Sequence, residues 1–238
     1  MTETKPRIGF IGQGFIGKNY ADDLESRGYE VVRYAREEPY VNNKEALQGC
    51  DIVFIAVPTP TKPSGEVRDD GHPHVMFDDH IVREAVGFAR PGATVVVKST
   101  LLPGTTASLQ AQYPDRIVLH SPEFLTEKNA AYDAAHPTRN IIGMAIEDDA
   151  HRIASEQVLA LLAPAPYTLI CSSATAEHIK YAANSLLFLK IVFANIFYEL
   201  SAKNGADWEA VRTAVGLDPR IGPSHMDLHL EGDPEGVM

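Results

Sequence analysis

The chain has 238 residues, with 21 lysines and arginines against 32 aspartates and glutamates, for a formal net charge of −11. Hydrophobic residues make up 45% of the chain, which argues against wholesale disorder. A chain of this length can bury a core without disulfide or metal staples. The acidic balance argues against a general nucleic-acid or anionic-membrane binder, because phosphate backbones require a basic face.

The two cysteines, Cys50 and Cys171, do not make the disulfide framework of a secreted protein. The first residues contain no signal-peptide core. The longest apolar stretch, residues 185–197, is interrupted by Lys190 and Asn195 and is too short to span a bilayer. We therefore expect a soluble, cytoplasmic protein without membrane contact.

The chain opens with a strand, a glycine turn, a helix and a strand, at residues 8–11, 12–17, 15–27 and 29–34. This order defines a β-α-β unit. Apolar runs predict further strands at residues 51–57, 94–98, 117–120, 141–146 and 167–170, and helices at 78–89 and 149–162. Near-continuous apolar strands are typical of a parallel sheet covered on both faces. We predict an α/β fold, a doubly wound Rossmann domain over residues 1–171, with a surface loop at 58–73.

Residues 172–203 contain neither glycine nor proline, and their apolar residues recur at helical spacing. This pattern predicts one long helix, capped by Ser172 or Ser173 and ended by Gly205. A shorter helix is predicted at residues 207–215, and the chain is turn-rich from Leu217 onward. We predict that residues 172–238 form a separate helical segment.

The glycine loop carries the first chemical signal, because it follows the first strand and opens a helix. The first glycine permits a tight turn, the second lets the backbone approach a pyrophosphate, and the third permits close helix–strand packing. The N-terminus of the helix then presents unpaired N–H groups to the phosphates. The pattern predicts dinucleotide binding by Gly12, Gln13, Gly14, Phe15, Ile16 and Gly17.

The end of the second strand bears on the choice between NAD and NADP. The acid that would bind the adenosine ribose is replaced by Ala35 and Arg36, with Glu37 just beyond. An arginine at this point suits a 2′-phosphate and favours NADP, whereas a ribose contact by Glu37 would favour NAD. The sequence alone leaves the choice between NAD and NADP open.

A histidine-rich loop contains residue types that bind metals. His72, His74 and His80 lie among aspartates at 69, 70, 78 and 79, and imidazole with carboxylate can bind a divalent metal. A solvated acidic loop is the simpler interpretation, and we predict no metal site.

Five separated segments resemble the UDP-glucose/GDP-mannose (nucleotide-sugar) dehydrogenase family, in the family's order and over nearly the whole chain. The two most specific segments are those that begin at Ser121 and at Asp218. The segments are Val57-Pro58-Thr59-Pro60, Lys98-Ser99-Thr100 with Pro103-Gly104-Thr105-Thr106, Ser121-Pro122-Glu123-Phe124-Leu125-Thr126-Glu127, Ala176-Glu177-His178-Ile179-Lys180-Tyr181 with Asn184, and Asp218-Pro219-Arg220-Ile221-Gly222.

The resemblance implies NAD(P)-dependent oxidation of the C6 alcohol of a nucleotide sugar to a carboxylate, through an enzyme-bound thioester. It implies that Glu123 activates water, Thr100 holds that water, Lys180 stabilises negative charge on the substrate oxygen, and Asn184 donates a second hydrogen bond. The implied cofactor contacts also include Val57, Pro58, Thr59, Ser99 and Thr100. The implied substrate contacts are Phe124, Leu125, Glu127, Lys180, Asn184 and Arg220, the last across the interface of a homodimer formed through the long helix.

The chain departs from the family at its end. The family's nucleophile lies in a Gly-Gly-x-Cys-Phe-x-Lys-Asp segment after the Arg-Ile-Gly block, and residues 224–238 contain neither this cysteine nor the Lys-Asp pair. Neither Cys50 nor Cys171 is a good substitute. One explanation is a truncated enzyme or a non-catalytic, dinucleotide-binding remnant. The other is a single hydride transfer that needs no thiol, as in the β-hydroxyacid dehydrogenases, whose glycine loop and Lys-x-x-x-Asn helix the chain also resembles.

Overall fold

A computed structural model describes residues 5–67 and 73–226 of the chain. The chain divides into two compact units, residues 1–180 and 181–238, and the division falls inside a long helix. The domain boundary expected after residue 171 stays a prediction.

Nine strands are formed by the described residues. They are β1 (Ile8–Ile11), β2 (Val31–Tyr34), β3 (Ile52–Ile55), β4 (Thr61–Val67), β5 (Pro73–Phe77), β6 (Thr94–Val97), β7 (Ile117–His120), β8 (Arg139–Met144) and β9 (Tyr167–Ser172). Seven of them make one sheet in the order β2-β1-β3-β6-β7-β8-β9, and β4 and β5 pair separately. The first five strands of that order are parallel, in the arrangement of a Rossmann fold, which confirms the predicted fold class.

Seven α-helices accompany these strands in the described part of the chain. They are α1 (Phe15–Ser26), α2 (His80–Val86), α3 (Thr105–Gln112), α4 (Ala130–Ala135), α5 (Asp149–Leu161), α6 (Ser173–Asn204) and α7 (Trp208–Gly216). Gly28, with φ of +78°, follows the end of α1 and turns the chain toward β2, a backbone conformation that glycine adopts without strain. Asp148 caps α5 by accepting a hydrogen bond from the His151 amide at 2.8 Å.

The core of the first unit lies on both faces of the sheet, because successive side chains of a strand point to opposite sides. Ile8, Phe10 and Phe54 pack with the apolar face of α1 on one side. Val53 and Val95 pack with residues of α2 on the other. The central strands β1, β3 and β6 are buried on both faces, which leaves their carboxyl ends as the place where polar side chains can meet a ligand.

Two features of the fold differ from the prediction. Strand β8 pairs with β7 in antiparallel fashion, and β9 follows the direction of β8, so the sheet is mixed rather than wholly parallel. Residues 58–73, expected to be a loop, contain β4, which forms an antiparallel pair with β5. Apolar, β-branched content predicts a strand but carries no information about its direction.

The second unit is helical. Trp208 of α7 packs with Ala194 of α6 and with Met226, all three buried. Asp207 caps α7 by accepting from the Glu209 amide at 2.9 Å. Helix α6 has 32 residues, and Ser172 precedes it with its hydroxyl accepting from the Thr175 amide at 3.3 Å, as one of the two predicted caps.

By length and composition alone, α6 could cross a membrane, since an 18-residue window of it reaches a mean hydropathy of 1.5. The predicted apolar stretch covers only residues 185–197, whereas the helix that contains it runs from Ser173 to Asn204. A single apolar helix of this kind is also found at interfaces between soluble chains, so this property does not by itself indicate a membrane protein.

Candidate active site

The glycine loop has the close packing that its sequence predicts. Gly12 has φ of +90°, and its amide donates to the Tyr34 carbonyl at 2.9 Å. A Cβ at Gly12 would lie 2.1 Å from the Ala56 carbonyl oxygen, and one at Gly17 would lie 1.9 Å from that of Gly12. A Cβ at Gly14 would meet none of the described protein atoms within 4 Å. Two glycines are therefore needed for packing, while Gly14 leaves the approach to the backbone open.

A buried arginine that the sequence analysis missed braces this loop. Arg33 of β2 donates from Nη1 to Oε1 of Gln13 at 3.2 Å. Its Nη2 donates to Asp22 at 2.6 Å and to Glu25 at 2.7 Å, both on α1. Gln13 in turn donates to the Gly12 carbonyl at 3.1 Å. An arginine within an otherwise apolar strand is the signal that could have revealed this brace, although its partners could not be read from the sequence.

The remaining loop residues open α1. Phe15 is exposed at the first position of the helix, and Ile16 packs against the core. Their expected contacts with a cofactor stay predictions.

The loops after β3 and β6 are joined by hydrogen bonds between their predicted cofactor residues. The Ser99 hydroxyl donates to the Val57 carbonyl at 2.8 Å and lies 2.9 Å from the Val57 amide, from which it accepts. The Thr59 hydroxyl donates to the Thr100 carbonyl at 3.0 Å. Pro58, between them, is exposed. The Val-Pro-Thr and Lys-Ser-Thr segments thus form one polar edge beside the glycine loop.

Glu123 and Lys180 form a nearly buried ion pair. Glu123 follows β7 and Lys180 lies in the first two turns of α6, 57 residues away. The Lys180 ammonium donates to Glu123 Oε1 at 3.1 Å and to the Glu123 carbonyl at 2.7 Å. The other carboxylate oxygen accepts from the Leu125 amide at 2.7 Å. The structure therefore brings together two residues that the sequence analysis selected separately.

A second lysine lies beside this pair. Lys98, at the end of β6, is fully buried, and its ammonium donates to the Ser121 hydroxyl at 3.2 Å and lies 4.0 Å from the centre of the Tyr20 ring. Burial lowers the pKa of Lys98 to about 7, with Glu123 opposing the shift and Lys180 adding to it. Lys98 was quoted in the Lys-Ser-Thr motif but given no role.

His120 completes the buried polar group. Its Nδ1 lies 3.0 Å from the Val97 carbonyl, while Nε2 has no hydrogen-bond partner within residues 5–67 and 73–226. Burial lowers the pKa of His120 to about 3; the Val97 carbonyl opposes the shift, and Lys98 and Lys180 add to it. At neutral pH the ring is uncharged, so it donates from Nδ1 to Val97.

The predicted substrate residues after Glu123 have mixed surroundings. The Arg139 guanidinium carbon lies over the Phe124 ring, 3.8 Å from the ring centre. The Lys180 ammonium lies 5.5 Å from the same ring centre. Leu125 is partly buried against the core, and Glu127 begins a short 3₁₀ turn, Glu127–Asn129. Their roles toward a substrate stay predictions.

Glu177 links two of the motifs and was also missed. It is fully buried, one turn before Lys180 on α6. Its carboxylate accepts from the Gly104 amide at 2.6 Å and from the Thr106 amide and hydroxyl at 2.8 and 2.6 Å. A carboxylate at these amides complements the positive N-terminal end of α3. Glu177 therefore fixes the start of α6, and with it Lys180, against the Pro-Gly-Thr-Thr segment.

Two predicted residues belong to the second unit. Asn184 is exposed on α6. Arg220 lies in the turn after α7, where its highly exposed guanidinium donates to Asp218 at 2.6 Å. Their expected substrate contacts stay predictions.

Neither cysteine offers a ready nucleophile. Cys50 is buried before β3, and Cys171 is partly buried in β9. Burial raises the pKa of both thiols, which lowers the fraction of the reactive thiolate at neutral pH.

Part of the histidine-rich loop, including Asp69, Asp70 and His72, lies outside the described residues. His80 contacts the carboxylate of Asp78, which also pairs with Lys62. Within the part of the chain that the structure describes, no group of three histidine, cysteine or acidic residues is placed to hold a metal ion.

The fold and the loop together define the class of the first unit. The sheet is doubly wound and Rossmann-like, and a glycine-rich turn between its first strand and first helix is typical of dinucleotide-binding proteins. The model of the NAD binding domain of the UDP-glucose/GDP-mannose dehydrogenase family matches residues 39–159, and the model of that family's central domain matches residues 174–231. The chain belongs to the UDP-glucose/GDP-mannose dehydrogenase family, as its motifs predicted.

Individual relatives agree with this assignment. The chain is 33% identical to a putative UDP-glucose 6-dehydrogenase, YtcA, of Bacillus subtilis, over 91% of this chain and 57% of that protein. It is 34% identical to a UDP-glucose 6-dehydrogenase of Rhizobium meliloti, over 75% of this chain and 41% of that protein. The solved UDP-glucose dehydrogenase of Pyrobaculum islandicum superposes with a TM-score of 0.77 at 28% identity, over 94% of this chain and 60% of that one. The chain thus spans about half the length of the curated relatives it matches.

Proposed function

We propose that the protein is an NAD(P)-dependent oxidoreductase that acts on the C6 alcohol of a nucleotide sugar. The observation that carries the proposal is the Glu123–Lys180 pair at the carboxyl end of β7. A buried carboxylate and a buried ammonium in direct contact are suited to moving a proton and stabilising negative charge, and ligands of open α/β sheets bind at this edge.

The roles of the pair follow from its charges. The Lys180 ammonium lowers the energy of negative charge on the C6 oxygen as the hydroxyl proton leaves. The Glu123 carboxylate accepts that proton, and in the later hydrolysis that the family resemblance implies it would activate a water held by Thr100. Asn184, one turn further along α6, is proposed as a second donor to the same oxygen.

The glycine loop fits the pyrophosphate of a dinucleotide, because Gly12 and Gly17 are packed against backbone while Gly14 keeps the loop amides accessible. We propose that residues 12–17, Arg36, the Val57–Thr59 segment, Ser99 and Thr100 hold the cofactor. When bound, the nicotinamide accepts a hydride from the substrate carbon.

We limit the proposed reaction of these 238 residues to the alcohol-to-aldehyde step. In this step the carbon loses a hydride to the cofactor and the oxygen loses its proton to the Glu123–Lys180 pair. Oxidation to the carboxylate in the resembled family also uses a thiolate, and the raised pKa values of Cys50 and Cys171 disfavour either as that group.

The partners of the proposed enzyme follow from its surfaces. We propose a nucleotide-sugar substrate, contacted in part by Phe124, Leu125, Glu127 and Arg220, and a homodimer formed through α6. The exposed apolar residues Leu186, Leu189, Phe193 and Phe197 support the dimer. We propose a cytoplasmic location, and the net charge of −11 argues against binding to nucleic acid or anionic membranes.

The test is the appearance of reduced nicotinamide absorbance with UDP-glucose or GDP-mannose, each offered with NAD⁺ and NADP⁺, together with chemical trapping of an aldehyde. We expect Lys180→Met to lower kcat at least about a hundredfold, as for loss of one oxyanion donor. Lys203→Met, which removes an exposed lysine near the end of the same helix, serves as the matched control and should keep the rate. Cofactor binding without reduction by any of these sugars would contradict the proposal and favour a non-catalytic binding module.

A further inference from the structure

We propose that the dinucleotide site selects NADP over NAD, and that Arg36 binds the phosphate on the adenosine 2′-oxygen. The inference rests on the proposed function, since it presupposes that a dinucleotide binds at the glycine loop. The family model that matches residues 39–159 is described as an NAD binding domain, whereas the residues at the end of β2 fit the 2′-phosphate of NADP better than the ribose hydroxyl of NAD.

The position where an NAD site needs an acid is fixed by the register of the sheet. Strand β2 ends at Tyr34, which pairs with Ile11 of β1, and the Tyr34 carbonyl accepts from the Gly12 amide. Ala35 is therefore the first residue beyond the strand and lies beside the glycine loop. NAD sites carry an aspartate or glutamate here that binds the ribose 2′-hydroxyl. The nearly buried methyl group of Ala35 offers no such acceptor and places no negative charge against a 2′-phosphate.

The next residue supplies the opposite charge. The Arg36 side chain is 58% exposed, and its Nη2 lies 3.1 Å from Oε2 of Glu84 on α2, whose side chain is 51% exposed. An ion pair this exposed contributes little stability, so a phosphate can replace the Glu84 carboxylate at modest cost. A guanidinium matches a phosphate with two parallel hydrogen bonds, which makes arginine suited to this role.

Glu37 supports the rival interpretation. It is exposed two residues beyond Ala35, and its carbonyl accepts from the Tyr40 amide at 3.2 Å. If its carboxylate bound the ribose 2′-hydroxyl, it would repel a 2′-phosphate and the site would prefer NAD.

The experiment is an equilibrium titration by calorimetry of the full chain with NADP⁺ and with NAD⁺ at one ionic strength. The fragments 2′,5′-ADP and 5′-AMP, which differ only in the 2′-phosphate, are titrated in parallel. We expect NADP⁺ to bind at least about tenfold more tightly than NAD⁺, and 2′,5′-ADP to exceed 5′-AMP by a similar factor.

Three substitutions test which residues determine the preference for NADP⁺ over NAD⁺. Arg36→Gln should weaken NADP⁺ binding about tenfold and leave NAD⁺ within about twofold. Glu84→Gln should strengthen NADP⁺ binding, because it removes the carboxylate that competes for Arg36. Ala35→Asp should reverse the preference. Arg90→Gln is the matched control: Arg90 is an exposed arginine paired with Asp51 before β3, and its loss changes the net charge equally. It should leave both affinities unchanged.

Tighter binding of NAD⁺, or an equal loss of both cofactors in Arg36→Gln, would overturn the inference and leave the proposed function standing. Absence of binding by all four ligands would overturn the proposed function and the inference together.

Discussion

At the scale of single residues, the glycines of the loop differ in what they do. Gly17 allows α1 to pack onto the turn, whereas Gly14 is in contact with nothing that a methyl group would disturb. The same substitution at the two positions should therefore separate folding from ligand binding.

We predict that Gly17→Ala lowers the free energy of unfolding by at least about 2 kcal/mol, because its Cβ would lie 1.9 Å from the Gly12 carbonyl oxygen. Gly14→Ala, at a φ of −74° that alanine adopts freely, should change it by less than about 1 kcal/mol. Urea denaturation monitored by circular dichroism measures both. Equal losses would show that the loop does not pack as described.

Lys98 gives a prediction about pH. Its pKa is lowered to about 7 by burial, against an ordinary value of 10.5 in the unfolded chain. Between these two values the unfolded state binds more protons than the folded state, so stability rises with pH in that window. The charged lysine is costly to bury at and below pH 7, and the neutral amine is not.

Lys98→Met should therefore be more stable than the wild type at pH 6, and the difference should shrink by about 1.4 kcal/mol per pH unit from pH 7 toward pH 10. Urea denaturation across this range measures the difference, in which groups distant from Lys98 cancel. Lys18→Met, at an exposed lysine of α1, is the control and should show a constant difference. A constant difference for Lys98→Met would contradict its shifted pKa.

The site could be predicted from the sequence only where a residue carries its signal locally. The glycine loop is such a case, and the motif residues Glu123 and Lys180 are another. The partners of Lys98 and Glu177 could not be predicted, because they lie far away in the chain: Lys98 meets Ser121 across 23 residues, and Glu177 meets Thr106 across 71. A lysine or glutamate in a motif does not reveal whether it will be buried.

At the scale of elements, the junction between α3 and α6 depends on one carboxylate. Glu177 accepts three hydrogen bonds at the N-terminus of α3 and holds the two helices together.

We predict that Glu177→Gln lowers the free energy of unfolding by about 2–4 kcal/mol, since the amide turns a donor toward N–H groups and removes the charge that faces the helix end. Urea denaturation measures this loss. Glu156→Gln, an exposed glutamate of α5, should stay within about 0.5 kcal/mol of the wild type. A loss in Glu177→Gln as small as that of Glu156→Gln would mean that the contact does not hold the junction.

Most elements could be predicted from periodicity and caps, but their directions and pairings could not. The apolar residues 141–144 of β8 predict a strand, yet β8 pairs with β7 only at Leu119 and His120 and runs antiparallel to it. The β4–β5 pair could not be predicted because Pro63 and Gly65 signal a turn, and its register shifts between Pro63 and Val67. In both cases tertiary pairing overrides local preference.

At the scale of the whole molecule, a partner chain that buries the exposed apolar residues of α6 would be bound favourably. Leu186 and Leu189 are 62% and 60% exposed, and Phe193 stacks on Phe197 at 4.4 Å between ring centres. Apolar groups at this spacing on one helix are typical of a protein–protein interface.

We predict that the protein, purified without detergent, has twice its chain mass of 26.0 kDa by light scattering at micromolar concentration. The double variant Leu186→Lys and Leu189→Lys should reduce it to the monomer, because four lysines would face each other in the interface. Ile153→Lys, at an exposed isoleucine of α5, should leave the mass unchanged. A monomeric wild type would contradict the dimer, and recovery only in detergent would instead indicate a membrane-bound helix.

The proposed function requires a dinucleotide that lies against the amides of the glycine loop, and a calorimetric titration of the wild type and of Gly14→Ala with NAD⁺ and NADP⁺ tests this binding directly. We predict saturable binding of at least one cofactor to the wild type, and a loss of at least about tenfold in Gly14→Ala while its thermal unfolding stays like that of the wild type. No heat with either cofactor, or undiminished binding to Gly14→Ala, would contradict it.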